Sequence, residues 1–418
     1  MPDQKMADQT LAKFVNELRI LTLLRTQGQA TRADIARRLQ LTPATITRLI
    51  ANLAKRRLVR EVPDAPDQSQ PREPGRPGVG VTLDAQGAYF LGVEIGVGAM
   101  RFALVNLRTE VVDSVTHAVK ASISPQEAVA AIALHLEGLL QDQRFQGKIR
   151  SLGVTVPGLV NSRGHIVHLP ILGWRDVNLL ERLDASVPIQ AYVENNADAA
   201  AFGSVYTQPP ATNASIIYLK LGTGCGGAAI VDGRLLRGAA GMAAEFGHIR
   251  IADDGERCYC GQRGCLETFV NLRALARGFL GTDALGEAAF AALPEQAAFA
   301  AAAGDAAAIE ALDQLCQSLC KGIISLVNIF NPTIVMLGGP MRPAIALHLE
   351  NIRQRTAAAI VPGMTVPAIS LSSHGDLECA IGAACVAHHH SFDVPWSDLT
   401  NDRKAMQTSR AGTGGDFA

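Results

Sequence analysis

Glu245-Phe246-Gly247-His248 is followed, after nine further residues, by Cys258-Tyr259-Cys260-Gly261-Gln262-Arg263-Gly264-Cys265-Leu266-Glu267. The ligating residues fall in the spacing H-x9-C-x-C-x4-C. One imidazole and three thiolates form a complete tetrahedral set for zinc, and a set with no vacant position is structural rather than catalytic. Gly261 and Gly264 let the loop turn tightly enough for His248, Cys258, Cys260 and Cys265 to reach one ion. The expected cofactor is therefore structural Zn2+. His248 also closes the run that begins at Glu245, which points to a ligand pocket beside the metal.

Composition bounds the rest. A chain of 418 residues is long enough for two or three domains and a large core. Its 48% hydrophobic and 5% aromatic content fits an α/β protein rich in Ala, Val and Leu. No apolar run reaches the ~18 residues of a membrane span. The N-terminus, Met1-Pro2-Asp3-Gln4-Lys5, has no apolar signal region. A cytoplasmic location is expected. The eight cysteines then read as metal ligands or buried thiols rather than disulfides. Cys316, Cys320, Cys379 and Cys385 sit in apolar stretches and are assigned to the core.

The charge is asymmetric. Residues 1–80 carry 14 Lys and Arg against 8 Asp and Glu, whereas the remainder carries 24 against 31. A basic head on an acidic body suggests that the head meets a polyanion.

The head's pattern agrees. Leu11, Phe14, Val15, Leu18, Leu21 and Leu24 recur at helical spacing over residues 10–27, and Gly28 closes that helix. Thr31-Arg32-Ala33-Asp34 resembles a capped helix start that leads through Leu39. Thr42-Pro43 opens the next helix with a hydroxyl cap and proline at its first position. Ile46, Leu49, Ile50 and Leu53 form its apolar face. Leu58-Val59-Arg60-Glu61-Val62 reads as the first strand of a wing. The pattern is a winged helix-turn-helix. Ala44, Thr45, Thr47 and Arg48 occupy the exposed start of its second helix, where base edges are read. Lys55, Arg56 and Arg57 are placed for phosphates. Residues 63–80 hold five prolines and three glycines and read as a linker. Within it Gly75-Arg76-Pro77 offers Arg76 to a minor groove.

From residue 81 strands alternate with helices. Strands are expected at Phe90–Gly96, at Ser151–Pro157, at Ser215–Leu221 and at Pro332–Gly338, with helices at 125–140 and along the alanine-rich stretch 283–312. Glycine turns follow several strands, notably Gly222-Thr223-Gly224-Cys225-Gly226-Gly227. Strand–glycine-turn repeats belong to actin-like ATPase folds, whose two α/β lobes close around a ligand. Residues 391–418 lose periodicity and read as a tail.

Glu245–His248, Cys258–Glu267, Leu221-Gly222-Thr223-Gly224 and Glu194-Asn195-Asn196-Ala197 occur in an order and spacing that resembles the ROK family over roughly residues 81–390. That family groups sugar kinases with sugar-responsive repressors. The head makes this chain similar to the repressor branch of xylose, N-acetylglucosamine and Mlc-type regulators. The resemblance implies a two-lobed actin-like fold behind residues 1–62 and the linker. It places Asn195, Glu245, His248 and Glu267 where sugar hydroxyls are bound, with Asn196 beside them, and Pro170–Trp174 on the sugar side. Ile171 stands where relatives often have Asn.

Two further departures concern catalysis. The kinases put an aspartate, the general base, where this chain has Asn196. Their first phosphate loop reads like Asp-x-Gly-Gly-Thr, whereas here it is Glu94-Ile95-Gly96-Val97-Gly98. The loop at Gly222, Thr223 and Gly224 is retained, either as a phosphate cradle or as a turn of the fold. No catalytic residue is assigned. The expected protein is a repressor of sugar-metabolism genes. It binds operator DNA as a homodimer or homotetramer and senses a monosaccharide or sugar phosphate. A sugar kinase with an accessory head, or a regulator controlled by a protein partner, are the alternatives.

Overall fold

A computed structural model describes residues 2–63, 79–208 and 214–392. Arg76, most of the linker and the tail beyond Phe392 lie outside the described residues. The chain forms two compact units. One runs to Tyr89 and includes Asn106–Glu110 and the chain from His388; the other comprises Phe90–Val105 and Val111–Ala387.

In the first unit α1 (Pro2–Gln27) ends at Gly28, which has φ +79° and donates its N–H to Leu24 at 2.9 Å. β1 (Gln29–Thr31) follows. Thr31 caps α2 (Arg32–Leu39) through the Asp34 N–H at 3.1 Å. Thr42 caps α3 (Pro43–Lys55) through the Thr45 N–H at 3.3 Å. Ile46, Leu49, Ile50 and Leu53 are buried, as are Leu18, Leu21 and Leu24 of α1 and Ile35 of α2. α3 meets both other helices. These residues of the apolar stripe read from sequence are thus the core of a three-helix head, whereas Phe14 is 50% exposed and Val15 half-buried.

β2 (Val59–Pro63) and β3 (Val79–Leu83) make the wing. The sheet order is β1-β3-β2, with β3 antiparallel to both neighbours. This corrects the sequence boundaries: Pro63, Val79 and Gly80 are strand rather than linker, and Val81–Leu83 belong to the head's sheet rather than the body. Val-Gly-Val-Thr-Leu alternates as a strand in either sheet, and a local pattern does not name its pairing partner. Thr82 fixes the choice by donating its hydroxyl to the Gly28 carbonyl at 2.6 Å.

The second unit contains two five-stranded sheets. The first is built from β4 (Tyr89–Ile95), β5 (Ala99–Asn106), β6 (Val111–Ala118), β7 (Ile149–Val156) and β11 (Gln190–Asn195), in the order β11-β7-β4-β5-β6. α4 (Pro125–Gln141) lies between β6 and β7 in the chain and opens with a Ser124–Glu127 capping box. β8 (Leu159–Val160), β9 (Ile166–Leu169) and β10 (Trp174–Val177) form a small antiparallel sheet. α5 (Leu179–Asp184) precedes β11, and α6 (Asn196–Thr207) leaves it directly.

The second sheet runs β14-β13-β12-β15-β16. Its strands are β12 (Ile216–Leu221), β13 (Cys225–Val231), β14 (Arg234–Leu235), β15 (Ile334–Gly338) and β16 (Ala368–Leu371). Its helices are α7 (Glu267–Val270), α8 (Leu272–Leu280), α9 (Glu287–Ala302), α10 (Ala306–Phe330), α11 (Arg342–Ala346) and α12 (Leu349–Ala359); α13 (Glu378–Phe392) follows the last strand. The core of this half joins Ile217, Leu219 and Leu221 of β12 to Leu275 of α8 and Leu312, Leu319 and Ile323 of α10. The alanine-rich stretch 283–312 is shared by two helices, α9 and the start of α10. They part at Gly304, with φ +90°, and Asp305 caps α10 through the Ala308 N–H at 2.9 Å.

Gly92 of β4 and Gly153 of β7 let α13 lie on the first sheet. A Cβ at either would fall inside van der Waals contact of a backbone carbonyl, that of Ala380 or Ala383 respectively. No described helix is long and apolar enough to cross a membrane.

Candidate metal centre and ligand pocket

His248 ends a single 3-10 turn, Phe246–His248. The loop beyond it is tied by isolated bridges Arg250↔Cys265 and Arg257↔Arg263. Gly264 has φ +76°, and a Cβ there would collide with the Ala252 carbonyl. Inside this loop the ligand atoms of His248, Cys258, Cys260 and Cys265 all lie within 4.8 Å of one another. His248 Nδ1 is 3.4 Å from Cys258 Sγ, and Cys260 Sγ is 3.6 Å from Cys265 Sγ. Zinc bonds of about 2.3 Å to sulfur and about 2.0 Å to nitrogen give tetrahedral edges of about 3.5–3.8 Å. The cluster therefore has the donors and the size to hold a metal ion. Burial pushes the Cys258 thiol well up, so metal uptake there must displace a proton.

Carboxylates surround the metal loop. Glu267 Oε2 accepts the Cys225 N–H at 3.0 Å, and Glu245 Oε2 is 3.8 Å from His248 Nε2. Burial, reinforced by the Glu267 charge, pushes the Glu245 carboxyl up to about 7. Burial also raises Glu267. Glu245, His248 and Glu267 thus meet at one place, as the sequence suggested. The neighbour it missed is Tyr259, whose Oη lies 2.8 Å from His248 Nε2. A half-exposed aromatic residue between two cysteines gives no local signal of its partner.

Asn195 has a structural task. Its Oδ1 accepts the N–H groups of Ala197 and Asp198 at 2.7 and 3.2 Å, capping α6, and its Nδ2 donates to the Gly158 carbonyl at 2.9 Å. Asn196 is buried, with Oδ1 4.0 Å from where a Cβ on Gly226 would stand. It therefore faces the second glycine loop. In that loop the Gly222 N–H bonds the Gly224 carbonyl at 2.9 Å and the Cys225 N–H is held by Glu267. Thr223 is exposed. Ile171 is 38% exposed.

Two ion-pair clusters were invisible in the sequence. Glu94 is buried between Lys220 Nζ at 3.5 Å and Arg101 Nη1 at 3.3 Å. These contacts join β4 and β5 of the first sheet to β12 of the second. Arg237 Nη1 reaches Glu194 Oε2 at 2.5 Å and Asp198 Oδ2 at 3.7 Å. Burial first, then the Glu194 charge, raises the Asp198 carboxyl well above its ordinary range.

On the head, Ala44, Thr47 and Arg48 are exposed along α3, and Thr45 is half-buried. The Thr47 hydroxyl donates to the Pro43 carbonyl at 2.9 Å. Arg56 is differently engaged. Its Nη1 lies 2.7 Å from Oε2 of Glu17, which is 4% exposed and also accepts Asn52 Nδ2 at 2.6 Å. Arg56 therefore ties α3 to α1. Arg56→Ala is expected to lower stability by about 1–3 kcal/mol, because a buried acceptor loses a partner. Urea unfolding measures it, and an unchanged midpoint would contradict the assignment.

Residues 90–390 match the model of the ROK family, and residues 15–68 match that of the MarR family. The chain is 26% identical over 391 residues to the xylose repressor of Bacillus spizizenii, covering 93% of this chain and 99% of that one. It is 30% identical over 319 residues to the glucokinase of Streptomyces coelicolor, covering 71% and 96%. A solved ROK family transcriptional regulator, described as a homologue of the Escherichia coli Mlc protein, superposes with TM-score 0.74 at 25% identity, covering 92% and 97%. The fold is thus a winged helix-turn-helix followed by an actin-like, sugar-kinase type body. The chain belongs to the ROK family.

Proposed function

We propose that this chain is a DNA-binding transcriptional repressor of sugar-metabolism genes, whose body takes up a monosaccharide and thereby changes the head's affinity for operator DNA. One observation carries this reading. A winged head with exposed Arg48 shares a chain with a site where the carboxylates of Glu245 and Glu267 lie beside His248 and its three cysteines. Carboxylates and imidazole are suitable partners for vicinal hydroxyls. Xylose and glucose are the first probes, since relatives are named xylose repressor and glucokinase.

The metal is read as structural zinc, held by all four ligands with no open position. Helix-turn-helix heads read paired half-sites. The working form is therefore a homodimer or homotetramer on an inverted repeat, in the cytoplasm. Fluorescence anisotropy of DNA from upstream of the chain's own gene, with and without each sugar, tests the reading. No retention of any such DNA would contradict it.

Sugar phosphorylation is absent or very slow in this account. The Asn196 amide cannot take up a proton at neutral pH, and losing a general base lowers rates about 10²–10⁴-fold. Glu94 is already neutralised by Lys220 and Arg101. From an ordinary ~10 s⁻¹, turnover with ATP and either sugar is expected at or below about 0.1 s⁻¹. A coupled assay on protein free of host kinases measures it. Turnover near ~10 s⁻¹ would make the chain a kinase with an accessory head.

A further inference from the structure

We infer that Tyr259 is a built-in competitor for the ligand: its phenol occupies the place of a sugar hydroxyl on His248 and leaves when the sugar enters. The inference rests on the reading of this pocket as a sugar site. His248 Nδ1 faces the cysteines, 3.4 Å from Cys258 Sγ. A metal on Nδ1 leaves the ring's proton on Nε2, so Nε2 is a donor. Tyr259 Oη accepts from it at 2.8 Å. Glu245 Oε2 lies 3.8 Å from the same nitrogen.

A hydroxyl at the position of Oη can therefore accept from Nε2–H and donate towards a carboxylate. A phenol and a sugar hydroxyl each offer one donor and acceptor lone pairs. The same protein groups would satisfy either, and the two cannot be satisfied at once.

The plug is removable. Tyr259 is 52% exposed, and the only hydrogen bond recorded for its hydroxyl among the described residues is the one to His248. Its backbone is pinned between Cys258 and Cys260, so departure is a rotation of the side chain and not a melting of the loop. The space beside Gly261, two residues on, is open, with nothing within 4 Å of a Cβ placed there. The ring stands beside His168 of β9, centroids 6.5 Å apart. Displacing it changes a contact between the metal loop and the small β8–β10 sheet. Ligand entry is thereby registered outside the pocket.

The test is calorimetric titration of the full chain with xylose and with glucose, comparing wild type with Tyr259→Phe, with metal content measured in both. Phenylalanine keeps the ring and removes the competing oxygen. The variant is expected to bind the responsive sugar roughly 2- to 10-fold more tightly, the scale of one exchanged hydrogen bond. Wild type should also show a tyrosine near-ultraviolet difference on binding that the variant lacks. Equal or weaker binding by Tyr259→Phe, or loss of metal from it, overturns the inference. Failure of both proteins to bind either sugar overturns the sugar reading of the pocket itself, and this inference with it.

Discussion

Cys260→Ser is expected to strip the proposed metal from the loop and to abolish sugar binding in the same step. The stretch between His248 and Glu267 contains no helix or named strand: Ile249, Ile251 and Leu266 anchor its ends on the core and Glu256 pairs with Arg277, but around the cysteines it is held by two isolated bridges and turns, with Gly261 and Gly264 at positive φ. Structural zinc contributes apparent binding free energies of about 10–16 kcal/mol near neutral pH, and where a site is not preformed that energy is folding energy. Glu267 begins α7 just beyond Cys265, and Glu245 precedes His248 by one turn. Both carboxylates therefore depend on the loop for their positions. The helices and sheets of the second unit have their own apolar core and should persist. Expected results are a fall from about one zinc per chain to a trace, loss of calorimetric sugar binding, and unchanged far-ultraviolet circular dichroism. Intact sugar binding in metal-free protein would sink the structural role of the metal.

Arg48→Ala is expected to lower operator affinity by about 1–3 kcal/mol, the worth of one good base contact. Arg48 stands on the exposed face of α3, opposite the buried Ile46, Leu49 and Ile50. No ion pair involving it is found among the described residues, so truncation leaves the head's fold intact. This separates it from Arg56, whose loss takes a charged partner from the buried Glu17 and leaves it Asn52. A base contact predicts weaker binding to the operator and little change on unrelated DNA. A uniform loss on all sequences, with a shallower salt dependence, would instead assign Arg48 to a phosphate.

Local signals in the sequence were reliable. Thr31 and Thr42 cap the helices they were expected to cap, because cap, proline and apolar stripe all lie within a few residues. The gathering of His248, Cys258, Cys260 and Cys265 was legible for the same reason, being confined to residues 248–265. What escaped depends on partners far apart in the chain. Arg237 meets Glu194 across 43 positions, Lys220 meets Glu94 across 126, and Arg56 meets Glu17 across 39. No periodicity encodes such pairings. β3 was misplaced because alternation specifies a strand but not its sheet. Asn195 shows the converse: its residue type suited a hydroxyl contact, but its position at the end of β11 commits its carbonyl oxygen to capping α6. The alanine-rich stretch 283–312 is helical as expected from alanine's helix preference, and Gly304-Asp305, a stop followed by a cap, marks where one helix ends and the next begins.

The central claim is that filling the Glu245–His248–Glu267 pocket alters DNA binding by the head. The direct measurement is operator affinity with and without the bound sugar, in wild type and in Glu245→Ala. The account predicts that sugar weakens wild-type binding by about 5- to 150-fold, the usual scale of linkage between two sites, and that Glu245→Ala no longer responds at the same sugar concentration. Tight sugar binding with unchanged operator affinity would contradict it.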